Sequence, residues 1–259
     1  MLNIIRAHIP SVVKRPVRLA LDALDRSRRS HALADAIKEL RRQARARDSL
    51  EWQVIQDLHD AWGNPEFSAD PSYLSEIARR MMAHSGPFLE CGSGISTIIA
   101  GVIASERGKR VWTLEQDAAW GRYMNGMLKR FDAATVTLWH APLRSYGEYV
   151  WFDLDGRSLP RTFTEVFCDG PAFLQGEWPD PVLSDWRVGL IPVLQARGIL
   201  FGEVLLDDAD DPRCARMCEL WHDFGVATEI VATRYGPFVV ARPSLHASQQ
   251  VHDAAEPGP

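Results

Sequence analysis

The stretch Leu89-Glu90-Cys91-Gly92-Ser93-Gly94-Ile95-Ser96-Thr97 decides the fold. A short apolar run, Phe88-Leu89, enters a turn holding two glycines. A helix-length segment then runs from Ser96 to about Arg107 and is closed by Gly108. Strand, glycine turn and helix in succession begin a βαβ unit. Glycine lets backbone approach a ligand closely, and the first N–H groups of the helix are left pointing at it. The third glycine of a dinucleotide fingerprint is missing, because position 97 is Thr97.

The same texture continues downstream. Val111–Leu114 reads as a second strand, followed by a helix capped by Asp117, and Val136–Leu138 as a third. Val166–Cys168 is the fourth, ending at Asp169-Gly170-Pro171. A helix around Ser184–Ala196 closes at Gly198, and Val204–Leu206 is the fifth strand, ending at Asp207-Asp208. Pro212 opens a helix running to Phe224-Gly225. Thr228–Ala232 and Phe238–Arg242, about Gly236-Pro237, form an antiparallel finish. Alternation of this kind predicts an α/β fold, a doubly wound, mostly parallel seven-stranded sheet with helices on both faces.

Upstream the chain reads as helices. Val17, Leu21 and Leu24 share a face, as do Leu33, Ile37 and Leu40, and Ile55, Leu58 and Trp62. Asp70-Pro71 is a helix start, a capping acceptor before a first-turn proline. That helix continues through Ile77 and Met81 to Ser85-Gly86-Pro87. The division expected is an N-terminal helical extension over 1–70, the α/β domain over 71–243, and a polar, Pro/Gly-punctuated tail over 244–259 that is mobile.

With 46% hydrophobic and 24% charged residues among 259, wholesale disorder is excluded. No run approaches the 18 apolar residues of a membrane span, and no signal-like apolar stretch opens the chain. The cysteines at 91, 168, 214 and 218 lack zinc spacing. Cys91 and Cys168 fall in apolar strands as buried thiols, which suits a cytoplasmic setting. Residues 1–48 hold 12 Lys/Arg against 5 Asp/Glu, and the remainder 17 against 29. This basic arm on an acidic body could touch a membrane surface or nucleic acid; the plainer readings are a solvated helical face or a homodimer contact.

Two sets of carboxylates carry chemistry. Glu115 ends the second strand, 21 residues past Gly94, where an acidic side chain takes the hydroxyls of a ribose. Glu90 precedes the glycine bend and suits a cationic ammonium rather than a pyrophosphate, which favours S-adenosylmethionine over NAD. Asp169, Asp207 and Asp208 sit at strand ends, where ligands bind in open α/β sheets. Converging, they would make an all-oxygen site for Mg2+ or a similar ion, able to acidify an acceptor hydroxyl. Such an ion predicts that a chelator abolishes turnover. The plainer reading is that Asp207 or Asp208 caps the next helix.

Together, Leu89 to Thr97, Leu114-Glu115, Ala141-Pro142-Leu143, Asp169-Gly170-Pro171 and Leu205-Leu206-Asp207-Asp208-Ala209 resemble class I S-adenosylmethionine-dependent methyltransferases. The similarity is to the bacterial branch related to catechol and macrocin O-methyltransferases, and it spans roughly Ser72 to Arg242. It implies a Rossmann-like sheet. It also implies that Glu90, Gly92, Ser93 and Gly94 hold the methionine end of the donor, that Glu115 holds the ribose, that Ser96 and Gln116 belong to the same donor site, and that Ala141 and Pro142 lie beside the adenine. Asp169 would face donor or acceptor, and Asp169, Asp207 and Asp208 match the metal ligands of the metal-dependent relatives. The chain departs from this branch at Asp210-Asp211-Pro212, where a basic residue is expected, and it lacks a lysine base near the fourth strand.

The acceptor expected is a small hydroxylated metabolite or sugar, with Asp169, Asp208 and His140 as the catalytic candidates. His140 follows the third strand and could accept a proton, although a strand-end histidine is more often structural. Tyr146, Tyr149, Trp151 and Phe152 either wall an acceptor pocket or form a packed insertion. Trp178 and Trp186 could belong to a lid or to a surface loop. Cys214 and Cys218 read as ordinary thiols, and His222 as packing. A nucleic-acid methyltransferase would show an Asn/Asp-Pro-Pro-aromatic turn where Asp169-Gly170-Pro171-Ala172 stands, and the acidic body also argues against it. An NAD-dependent oxidoreductase is disfavoured by Glu90 and Thr97. A non-catalytic binding protein on the same fold remains the fourth class.

Overall fold

The computed structural model describes residues 14–63, 68–172 and 187–244, with side chains from residue 27 onward. The side chains of Val17, Leu21 and Leu24, the segment holding Ser184, Trp178 and Trp186, and the tail beyond Ser244 lie outside the described residues.

The first two apolar stripes belong to one helix, α1 (Lys14–Ala46), rather than two. No glycine or proline follows Pro16 within it, so nothing interrupts the hydrogen-bond ladder. α2 (Trp52–Trp62) ends at Gly63 in the left-handed conformation, φ 69°, and α3 spans Pro71–Ala83. The helix start at Asp70-Pro71 is where the sequence places it, but Asp70 does not cap it through its side chain. Its carboxylate lies against Gly236, where a Cβ would stand 1.7 Å from Asp70 Oδ2, and its N–H donates to Asp207 Oδ2 at 3.2 Å.

From there the chain alternates β1 (Phe88–Cys91), α4 (Ile95–Arg107), β2 (Val111–Glu115), α5 (Ala118–Arg130) and β3 (Val136–His140). A hairpin, β4 (Leu143–Tyr146) and β5 (Tyr149–Phe152), precedes β6 (Thr162–Cys168). Then follow α6 (Leu190–Ala196), β7 (Leu200–Leu206), α7 (Cys214–Asp223), β8 (Val226–Val231) and β9 (Phe238–Pro243). The helix expected from about Ser184 begins, among the described residues, at Leu190. Gly189 before it is packed so closely on the hairpin that a Cβ would meet Val150 O at 2.6 Å.

The main sheet has the order β3-β2-β1-β6-β7-β9-β8. Its first five strands are parallel, and β9 is antiparallel to both β7 and β8. Side chains alternate between two cores. Phe88, Phe167, Leu205, Phe238 and Val240 face a cluster with α4, α5 and the N-terminal helices. Leu89, Cys91, Val166, Cys168 and Leu206 face a second cluster with α6, α7 and the hairpin. Leu33, Ile37 and Leu40 of α1 and Ile55 and Leu58 of α2 are buried in that first core, so the N-terminal extension is docked on the helical layer over the sheet, chiefly against α4.

The described part of the basic arm is largely engaged within the fold. Arg41 and Arg45 pair with the shielded Glu106, Arg47 with Glu51, and Arg42 with Glu39. Among the described residues no helix is long and apolar enough to cross a membrane. At the strand-start end of the sheet, Arg80 bridges the adjacent carboxylates of Glu165 and Glu203, with Glu76 on its other side.

The strand order reverses between the parallel neighbours β1 and β6: from β1 the chain works outward to β3, then returns to build the other side from β6. That is the switch point at which a crevice opens beyond the carboxyl ends of the strands. α3 shapes its edge. The buried Tyr73 hydroxyl donates to Leu205 O at 3.0 Å and accepts from Cys168 N–H at 2.8 Å, so it stands between β6 and β7 just before their acidic ends. Tyr73→Phe would leave two buried backbone groups unpaired, and urea unfolding should show a loss of about 2 kcal/mol.

Candidate functional site

Both glycines expected at the bend after β1 are there, with different roles. Gly92 has φ +91°, and a Cβ on it would stand 2.7 Å from Gly170 N. It is glycine because the loop after β6 crosses it, not because a ligand does. Gly94 has φ −168°, and a Cβ there would meet nothing within 4 Å among the described residues. The open space at this bend is therefore beside Gly94, at the N-terminus of α4. Thr97, in place of a third glycine, turns its Oγ1 back to accept the Gly94 N–H at 2.9 Å.

Glu90 and Glu115 flank the bend. Glu90 is 2% exposed. Its Oε2 accepts from Thr113 Oγ1 at 2.8 Å, while its buried Oε1 has no hydrogen-bond partner among the described residues. Burial pushes the carboxyl up to about 7, opposed by the hydroxyls of Ser96, Thr97 and Thr113. A buried carboxylate oxygen without a donor is costly alone and is an attractive contact for a cationic group. Glu115 closes β2 and is also buried. Its Oε2 accepts from Ser93 N–H at 3.1 Å and Ser93 Oγ at 2.5 Å, and its Oε1 from Asp117 N–H at 2.8 Å. Asp117 caps α5 as expected, accepting from Trp120 N–H at 2.6 Å. Of Glu115's partners, only the Ser93 hydroxyl can withdraw by side-chain rotation, which frees an acceptor position for a ligand hydroxyl.

Gln116 reaches from the end of β2 to Ala172 O at 2.7 Å, tying the second strand end to the loop after the fourth parallel strand. Ala141 is buried and its N–H donates to Glu115 O at 2.7 Å; Pro142 beside it is exposed. Among the described residues, the aromatic cluster is the packed insertion. Trp151 and Phe152 are fully buried in the hairpin, 5.2 Å apart and edge to face.

The acidic strand ends converge as expected. Carboxylate oxygens of Asp169, Asp207 and Asp208 lie within 4.8 Å of one another. Asp208 adopts φ +59°, a left-handed conformation that aspartate tolerates better than most residues and that marks a constrained strand end. Burial raises Asp207 to about 8, with Asp169 and Asp208 adding to it. Burial also raises Asp169 to about 6, against the pull of Arg187.

Arg187 is the residue that sequence reading did not place here. It is 4% exposed, and its guanidinium lies among the carboxylates. Nη1 donates to Asp207 O at 2.8 Å. Nη2 donates to Asp169 O at 2.5 Å, Asp169 Oδ1 at 3.2 Å and Asp208 Oδ2 at 2.8 Å. The three carboxylates thus meet the ligand count for a hard cation, but two of them already hold a buried positive charge. With Arg187 in this position the residues do not fit a divalent ion.

His140 is not brought to the acidic cluster. It is exposed, its Nε2 stands 3.1 Å from Gln116 O, and β2 and β1 separate its strand from β6. Three strand spacings put it about 14 Å from Asp169, too far to share a proton acceptor's task with it. Cys214 and Cys218 stand 4.0 Å apart, sulfur to sulfur, on α7.

A comparison with solved structures places this fold. An adenosylhomocysteine-bound methyltransferase of Podospora anserina, PaMTH1, superposes with a TM-score of 0.52 at 14% identity, covering 81% of this chain and 88% of that one. The O-methyltransferase TomG of Streptomyces achromogenes gives 0.49 at 16% identity, covering 82% and 89%. The N-terminal domain of human METTL16 gives 0.48 at 11%, covering 74% and 81%. No protein-family model and no curated protein matches the chain. The chain has the seven-stranded, Rossmann-like methyltransferase fold.

Proposed function

We propose that this protein is an S-adenosylmethionine-dependent methyltransferase acting on a hydroxyl group of a small metabolite or sugar. The observation that carries the reading is Glu90, a fully buried carboxylate with an unpartnered oxygen under a glycine bend that has open space beside Gly94. A diphosphate on that bend would meet negative charge; the ammonium of a methionine moiety would meet its counter-ion.

In this reading the open side of Gly94 receives the methionine end, with its carboxylate toward the free N–H groups of α4. Glu115 takes the ribose hydroxyls once the Ser93 hydroxyl rotates away, and Ala141 and Pro142 border the base. Bound donor supplies an electrophilic methyl group on a sulfonium, which a hydroxyl oxygen displaces to give a methyl ether and a thioether. Asp169, at the end of β6 beside the bend, orients the acceptor hydroxyl and takes its proton. Asp208, 54% exposed along its side chain, is an acceptor for further hydroxyls of a polyol. A metal-assisted version draws support only from the three carboxylates, and Arg187 stands against it. A nucleic-acid substrate gains nothing from the arm's arginines that are spent on internal ion pairs.

Isothermal titration tests this reading. Adenosylmethionine and adenosylhomocysteine should bind and NADH should not; preference for NADH would overturn it. Glu115→Ala should weaken donor binding more than about tenfold, or roughly 1.4 kcal/mol, and retained affinity would remove Glu115 from the ribose role. Methyl transfer to a panel of hydroxylated acceptors separates an enzyme from a binding protein on the same fold.

A further inference from the structure

We propose that the guanidinium of Arg187 takes the place of a divalent cation in the acidic cluster, so that the cluster works without metal. Three observations carry this. First, the carboxylates of Asp169, Asp207 and Asp208 are gathered closely enough to share one positive charge. Second, a positive charge is present: Arg187 is almost fully buried and spans all three residues, through the carboxylates of Asp169 and Asp208 and the main-chain carbonyls of Asp169 and Asp207. Third, the placement is built rather than incidental. Asp207 is fixed from the other side by the Asp70 N–H, and Asp208 is held at positive φ.

A guanidinium and a divalent ion do different work. An ion would be shared with the acceptor oxygen and would acidify it. Arg187 cannot lose a proton, and its planar fork fixes the direction of the carboxylates it holds. It is therefore a positioning residue: it aims Asp169 and Asp208, and proton acceptance falls to a carboxylate rather than to a metal-bound oxygen. This second half rests on the methyltransferase reading; the first half does not.

The test for the first half is Mn2+ alone, followed by the loss of its free electron paramagnetic resonance signal. Wild type and Arg187→Lys, which keeps the charge, should take up no Mn2+ at this site at millimolar concentration. Arg187→Met exposes the carboxylates to one another and should bind one Mn2+ at least about a hundredfold more tightly than wild type. Adding Asp208→Asn should remove that binding. One equivalent of Mn2+ bound by wild type and lost in Asp208→Asn would overturn the proposal. So would an Arg187→Met protein that unfolds like wild type yet binds none. If Arg187→Met does not fold, the wild type and Arg187→Lys measurements still decide.

For the second half, wild-type methyl transfer should be unchanged in EDTA. Arg187→Lys, which keeps the charge without the fork, should lower kcat at least about tenfold with KM for the donor unchanged. Absent donor binding would instead count against the methyltransferase reading and leave the Mn2+ result standing.

Discussion

Gly94→Val should cost about a hundredfold in adenosylmethionine affinity while leaving the fold nearly as stable as before. The Val side chain would enter space in which a Cβ meets none of the described residues, and φ of −168° is open to any residue. The stability cost of an apolar residue at this N-cap position is below about 1 kcal/mol. Gly92→Ala should do the reverse. Its φ of +91° and a Cβ 2.7 Å from Gly170 N force the two loops apart, at about 2–4 kcal/mol, with or without donor. Thermal unfolding and titration on the same two variants therefore separate a bend that receives a ligand from one that only packs. Donor binding by Gly94→Val at wild-type affinity would show that the donor lies elsewhere.

That contrast also shows how far the sequence could be read. The strand positions were legible because apolar runs of fixed length, punctuated by Gly108, Gly198 and Gly225, leave little choice of element. All seven main-sheet strands lie where the pattern puts them; six are extended by one to four residues, and β8 begins two residues earlier and ends one residue sooner than expected. The hairpin was not read as strands, although Tyr146-Gly147-Glu148-Tyr149 carries a two-residue turn with Gly147 at φ +71°. Aromatic density alone fits a packed insertion or a pocket wall equally and carries no pairing signal.

Site residues at strand ends were legible for a topological reason: a parallel sheet delivers Glu90, Glu115, Asp169 and Asp207 to one edge whatever the helices do. Arg187 was not, because one arginine in Trp186-Arg187-Val188 has no periodic or spacing signal, and only the path of the chain back to β6 and β7 brings it inside. Tyr73 shows an intermediate case. Ile77 and Met81 mark the helix on which it lies, but nothing in their spacing says that the Tyr73 hydroxyl stands between two strands. Asp70 shows how a correct boundary can rest on a wrong partner, since the helix starts where expected and the carboxylate is used elsewhere.

The buried carboxyl of Glu90 makes donor binding depend on pH in a direction that can be worked out. Burial raises it from an ordinary 4.5 to about 7 in the free protein. A group raised on folding favours the folded state fully below its unfolded value, and that advantage fades as pH rises to the folded value. Stability of the free protein should therefore fall between about pH 4.5 and 7 and level off above. The donor's ammonium favours the ionised form, so binding should run the other way. If the bound carboxyl stays ionised at pH 6, affinity should rise about tenfold from pH 6 to 8, with a proton released on binding below pH 7. Glu90→Gln removes both dependences. Its unfolding free energy should lose this slope, and its donor affinity should be flat over the same range and about fiftyfold weaker at pH 8, the size of one charge-assisted contact. A pH-dependent wild type and a flat, weak variant identify Glu90 as the counter-ion of a cationic ligand. Equal affinities in the two proteins at pH 8 would leave its unpartnered oxygen unexplained and remove the reason for choosing a sulfonium donor over a diphosphate.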